Sequence, residues 1–183
     1  MTVDHPRPIL QGKKALVVGV ANDSSIAYGC AKAFREVRAD VALTYLNEKA
    51  RPHVEPLAQE LEAPIFLPLD VSVPGQLEAV FDAITKRWGK LDILVHSIAF
   101  APKADLQGGL INCSAEGFAK AMDVSCHSFV RMARLAAPMM TEGGTMFARS
   151  YYGANRVVPT NEELMIARHT RAVLAAPAKE RTA

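Results

Sequence analysis

The stretch Lys14-Ala-Leu-Val-Val-Gly-Val-Ala-Asn-Asp-Ser-Ser-Ile-Ala-Tyr-Gly29 constrains this chain more than any other. An apolar run, Ala15 to Val18, reads as a buried strand. Gly19 and a polar turn follow, and Ser25-Ile26 opens a helix. Strand, glycine turn and helix form the first βα unit of a nucleotide-binding sheet. A helix start directs unpaired N–H groups at an anion, and Gly19 lets a pyrophosphate approach the backbone. The spacing departs from G-x-G-x-x-G, because five residues separate Gly19 from Ser25 and Gly29 lies one turn into the helix. Spacing alone therefore leaves two readings open, a phosphate-binding turn and an ordinary strand–turn–helix.

A chain of 183 residues has a one-domain length. Apolar residues make up 50%, enough for a sizeable core. The formal charge is +2 with no basic run, which argues against a nucleic-acid partner. Cys30, Cys113 and Cys126 lack C-x-x-C spacing. They read as buried thiols in a reducing compartment, and no metal site is expected. No apolar run approaches the ~20 residues of a membrane span, and the N-terminus has no secretory core. The expected compartment is the cytoplasm, with no membrane partner.

Periodicity places five strands, at about 15–20, 41–45, 64–70, 91–97 and 145–148. Between them lie helices at about 25–37, 48–61, a third ending near Trp88-Gly89, and a long one at 114–140. The first helix is expected to bury Ile26, Cys30, Phe34 and Val37. The long helix is expected to present Phe118, Met122, Cys126, Phe129, Ala133 and Ala136 on one face. Alternating strands and helices predict an α/β fold, a Rossmann-like doubly wound parallel sheet. The reading divides the chain into a leader (1–13), a dinucleotide-binding domain (14–159) and a divergent tail (160–183).

Ligands of such sheets sit at the carboxyl ends of the strands. This selects Gly19 to Ile26, Tyr45 to Asn47, Asp70-Val71, Ser97 to Ala101 and Ser150 to Tyr152. No acid directly ends the second strand to hold an adenosine ribose. Asp70 either accepts from the adenine amino group or caps a helix. Lys49 is placed to meet a 2′-phosphate. His96 reads as a packed histidine and Arg38 occupies a turn that suits glycine.

Gly19-Val-Ala-Asn-Asp-Ser-Ser-Ile-Ala-Tyr-Gly29, Leu69-Asp-Val71, Val95-His-Ser-Ile-Ala-Phe-Ala-Pro102 and Ser150-Tyr-Tyr-Gly-Ala-Asn-Arg-Val-Val-Pro159 together resemble the enoyl-acyl-carrier-protein reductases. These belong to the short-chain dehydrogenase/reductase superfamily. The resemblance runs from about residue 10 to Pro159. It implies an oxidoreductase of fatty-acid biosynthesis that transfers hydride from NADH to a trans-2-enoyl thioester on acyl carrier protein. Lys49 leaves NADPH open as the cofactor. By resemblance, Gly19, Ser25 and Ile26 hold the pyrophosphate region, and Leu46 takes the adenosine-side place where other members have glutamine. Asp70 and Val71 flank the adenine, and Ser97 and Ile98 line the nicotinamide half. Ala101 belongs to the substrate pocket, and Tyr151 matches the first of two active-site tyrosines.

The second tyrosine of the family, and the lysine seven positions later, fall on Asn161 and Arg168. That pair donates to the enolate oxygen and binds the nicotinamide ribose. Its replacement implies a catalytically impaired dinucleotide-binding remnant as the alternative function. The reading expects a truncated or frame-shifted member with a foreign tail, lacking the family's last strands. The fifth strand then becomes an exposed edge. Family members form homotetramers through the long helix and the helix after strand five; a weakened assembly is expected here.

Overall fold

Apolar runs rich in Val, Ile and Leu become the inner strands of one parallel sheet. The computed structural model describes residues 7–107 and 109–149. The strands are β1 (Lys14–Val18), β2 (Asp40–Tyr45), β3 (Ile65–Pro68), β4 (Ile93–His96) and β5 (Thr145–Ala148). Their order is β3-β2-β1-β4-β5, all parallel. The register sets Ala15 between Val41 and Ile93, and Val18 opposite His96. The chain runs outward to β3, then crosses back over β1 to β4. Order therefore reverses at β1, and a crevice opens there between the β1 and β4 ends.

The inner strands β1, β2 and β4 are covered on both faces, as parallel strands require. Leu16 and Val18 point to one side, and Ala15 and Val17 to the other. The first side packs on α3 (Gln76–Trp88) through Leu77, Val80, Phe81 and Ile84. The second packs on α1 (Ile26–Glu36) and α2 (Arg51–Glu60). Asp92 joins the strand starts below the core. Its carboxylate accepts from Lys13 Nζ and from the Lys14 N–H, both at 2.9 Å. Burial alone would raise its pKa, but the bond from Lys13, the bond from Lys14 and the Lys90 charge outweigh it. The group therefore titrates below the ordinary aspartate value.

Two helical faces differ from expectation. In α1 the buried residues are Ala27, Tyr28 and Ala31, whereas Ile26 is 54% exposed and Cys30, Phe34 and Val37 are half-buried. Two alanines let the helix axis approach the sheet closely, and this outweighs the larger side chains one position away. The long helix is also interrupted. It comprises α4 (Ala115–Met122), one π-helical turn (Asp123–His127), α5 (Ser128–Ala136) and a closing 3₁₀ turn at Ala137–Met139. Val124, Ser128, Met132 and Ala136 face inward. Phe118, Met122 and Cys126 are exposed, so Cys126 is not the buried thiol expected, and Cys30 and Cys113 are only half-buried. This helix carries two apolar stripes, so periodicity could not choose between them.

Arg38 has φ 76°, in the left-handed region that favours glycine. β5 pairs only with β4 among the described residues, and Phe147 on it is 50% exposed. The described residues belong to one unit, Met1–Arg149. The expected boundary at 159/160 lies outside the described residues.

Candidate functional site

The β1 end supplies the floor of the site. Gly19 has φ 102°, and a Cβ built on it would meet the Ser97 carbonyl, 2.6 Å from its carbon and closer to its oxygen. The Ser97 N–H donates to the Val18 carbonyl at 3.0 Å. The chain leaving β4 is thus pressed against the glycine turn leaving β1.

Around this floor is a cleft of about 350 Å³, within the range of small-molecule sites. Four strand ends line it: Val18 to Ala21 after β1, Thr44 and Leu46 at β2, Leu69 to Ser72 after β3, and Ser97 to Phe100 after β4. Lys120 of α4 and Val124 of the π turn close one side. Gly19, Leu46, Asp70, Val71, Ser97 and Ile98 were all selected by the sequence analysis, and all six share this cleft.

Ser25, Ile26 and Ala101 do not line it. Ser25 is the first residue before α1, with its hydroxyl donating to the Asn22 carbonyl at 2.6 Å. Ile26 begins the helix and is solvent-exposed. Ala101 follows Phe100 at the lip and is half-buried. Tyr151, Asn161 and Arg168 lie outside the described residues.

Asp70 does not cap α3; Gly75 takes that place. One carboxylate oxygen accepts from the Ser72 N–H at 2.8 Å, closing a local turn. The Asp70 N–H donates to Gln76 Oε1 at 2.7 Å. Among the described residues its second carboxylate oxygen has no partner, which leaves it able to accept from a ligand N–H. At the β2 end, Asn47 Oδ1 accepts from the Ala50 N–H and Glu48 accepts from the Tyr45 hydroxyl. Those two polar groups are engaged locally, and Leu46 is the side chain that faces the cleft.

His96, the last residue of β4, is fully buried. Its Nε2 lies 2.7 Å from Ser128 Oγ, and that hydroxyl donates to the Val124 carbonyl at 2.6 Å. The hydroxyl proton is thereby committed, so His96 Nε2–H is the donor. Burial pushes the imidazole pKa below its ordinary value. His96 is a neutral packing group, as its sequence context suggests.

Sequence reasoning missed Thr44, Lys120 and Val124 in the cleft wall, and Ser125 behind it. Lys120 Nζ stands 5.6 Å from the Phe100 ring centroid. Ser125 Oγ accepts from the Phe100 N–H at 3.0 Å and donates to the Phe100 carbonyl at 3.2 Å. Lys120, Val124 and Ser125 lie far from the strand ends in sequence. Only the seating of α4 and the π turn brings them there. Among the described residues no cluster of His, Cys, Asp or Glu is placed to hold a metal ion. No helix among them is long and apolar enough to cross a membrane.

A family model described as enoyl-(acyl carrier protein) reductase matches residues 19–176. The chain belongs to this reductase family. The match extends beyond Pro159, where the sequence analysis places the divergence. Enoyl-(acyl-carrier-protein) reductase (NADH) 2 of Rhizobium meliloti is 42% identical over 160 residues, covering 87% of this chain and 60% of that protein. The Haemophilus influenzae enoyl-(acyl-carrier-protein) reductase (NADH) is also 42% identical, over 87% of this chain and 61% of its own length. A solved reductase from Aquifex aeolicus superposes with a TM-score of 0.77 at 42% identity, over 82% of this chain and 60% of that one. The Anaplasma phagocytophilum reductase, solved in complex with NAD, gives 0.78 at 42% identity, over 85% and 60%. The present chain spans about three-fifths of the length of these reductases.

Proposed function

We propose that this chain carries the cofactor-binding part of an NADH-dependent enoyl-acyl-carrier-protein reductase of fatty-acid biosynthesis. The observation that carries the reading is the cleft at the β1/β4 reversal, whose wall includes an Asp70 oxygen without a partner among the described residues. Bound NADH would supply a hydride for the β-carbon of a trans-2-enoyl thioester.

The chain's own residues take the following roles. The second Asp70 oxygen accepts from the adenine amino group, and Val71 flanks the ring. Leu46 packs on the adenosine side. The glycine turn and the first turn of α1, Gly19 with Ser25 and Ile26, hold the pyrophosphate through backbone N–H groups. Ser97 and Ile98 form the wall of the nicotinamide half. Ala101 begins the acyl pocket, and Tyr151 donates to the thioester carbonyl. Lys49 near the β2 end leaves 2′-phosphate binding, and so NADPH, as an alternative. The substrate arrives on acyl carrier protein, and homotetramer assembly follows the family. The free thiols Cys30, Cys113 and Cys126 support a cytoplasmic setting.

A second reading is favoured by Asn161 and Arg168 at the family's tyrosine and lysine places. An amide donates a hydrogen bond but relays no proton, and a guanidinium is not an ammonium point charge. Loss of one preorganised donor costs about 10²–10³ in rate. On this reading the chain binds NADH and turns over slowly or not at all.

The experiment is NADH binding by fluorescence, followed by NADH oxidation with crotonyl thioester at high protein concentration. Binding with turnover that is lost on Tyr151→Phe supports the reductase. Binding without turnover supports the remnant. Folded protein that does not bind NADH rejects both.

A further inference from the structure

We propose that Ser125 is a positioning residue for the cleft: from the π turn it pins Phe100, and so sets the wall formed by residues 97–100. The proposal rests on the dinucleotide reading above. Residues 97–102 leave β4 without regular structure, yet Ser97, Ile98, Ala99 and Phe100 all line the cleft. Side-chain burial does not hold the far end of this arch, because Phe100 is 46% exposed.

The arch is instead tied at two points to one turn of helix. At its near end, buried His96 donates to Ser128, whose hydroxyl is anchored on the Val124 carbonyl. At its far end, Ser125 bonds both the N–H and the carbonyl of Phe100. Ser125 and Val124 belong to the π turn Asp123–His127, and Ser128 follows it directly. Such turns recur at functional sites because the extra residue re-aims neighbouring groups. Lys120 adds an ammonium against the Phe100 ring, one helical turn earlier. Three contacts from the α4–π segment thus converge on a single residue of the wall.

The two ties differ in energetic character. His96 and Ser128 are buried, so their bond serves stability. The bonds of Ser125 to Phe100 are exposed, so water can replace them when the hydroxyl is removed. Removing the Ser125 hydroxyl therefore leaves the fold and frees the arch. The cost appears in ligand affinity, because the wall must then be ordered on binding.

The test uses the full chain with Ser125→Ala and Ser125→Thr. Three quantities are measured: thermal midpoint, hydrogen exchange of the Phe100 amide without ligand, and the NADH dissociation constant by fluorescence. For Ser125→Ala, the midpoint should stay within about 2 °C. Phe100 exchange should rise, and NADH affinity fall, each by about tenfold for two lost hydrogen bonds. Ser125→Thr keeps the hydroxyl and should restore both to within about twofold. Unchanged exchange and affinity in Ser125→Ala would overturn the role alone, as would a large midpoint loss that accounts for the weaker binding. Wild-type chain that fails to bind NADH would sink the dinucleotide reading and this role with it.

Discussion

Gly19 and Ser97, 78 positions apart, occupy the same small volume: the Ser97 carbonyl fills the place of a Gly19 side chain. The glycine is demanded by the β4 end as much as by any ligand. Its φ of 102° adds a second reason. Gly19→Ala should therefore destabilise the fold by about 3 kcal/mol or more, from left-handed strain and overpacking together. Urea unfolding measures this directly. A loss below about 1 kcal/mol would mean that the β4 exit moves freely.

Asp70→Asn separates folding from ligand reading. An asparagine keeps an oxygen for the Ser72 N–H, but its second group is a donor and cannot accept from an adenine amino group. NADH affinity should fall about tenfold or more, the value of a charge-assisted hydrogen bond. The thermal midpoint should hardly change. Equal NADH affinity in the variant would show that Asp70 plays no part in binding adenine.

Arg38→Gly removes left-handed strain at the α1–β2 turn. The gain is partly offset by the freer unfolded chain that glycine brings. The expected net stabilisation is about 0.5–1 kcal/mol, or a rise of about 2–4 °C in midpoint. Differential scanning fluorimetry suffices, and a lower midpoint would rule out strain at this turn.

His96 and Ser128 make stability depend on pH. Burial depresses the folded-state pKa of His96. The unfolded chain takes up a proton below about pH 6.5 while the folded chain does not. This contribution is intact above that pH and is lost as pH falls through the window below it, by at most about 1.4 kcal/mol per unit. Urea midpoints at pH 7.5 and 5.5 should differ in wild-type protein by more than in His96→Asn. Ser128→Ala should cost about 1–3 kcal/mol at pH 7.5, because it strands a buried N–H. Equal pH slopes in wild type and His96→Asn would place the titration elsewhere.

The strands were legible because a buried parallel strand needs a short, continuous apolar run, and Ala15–Val18 and Ile93–Val95 are such runs. Six cleft residues were legible for a related reason: ligands of this architecture meet strand ends, so locating the ends located Gly19, Leu46, Asp70, Val71, Ser97 and Ile98. The helix faces were less so. Ile26 and Phe118 look like core residues by size, but Ala27 and Val124 are nearer the sheet. Periodicity reports that a stripe exists; it does not report which of two stripes meets a partner.

By itself, then, the sequence determined the parallel α/β architecture, the turn after β1 and the family. Each follows from local pattern: period, glycine placement and short ordered motifs. Tertiary structure alone decided that Gly19 is jammed against Ser97, that the long helix breaks into a π turn, and that Ser125 and Lys120 meet Phe100. These are contacts between segments far apart in the chain. Their geometry depends on how closely each helix seats on the sheet, a balance of packing across the whole core that no single stretch of residues encodes.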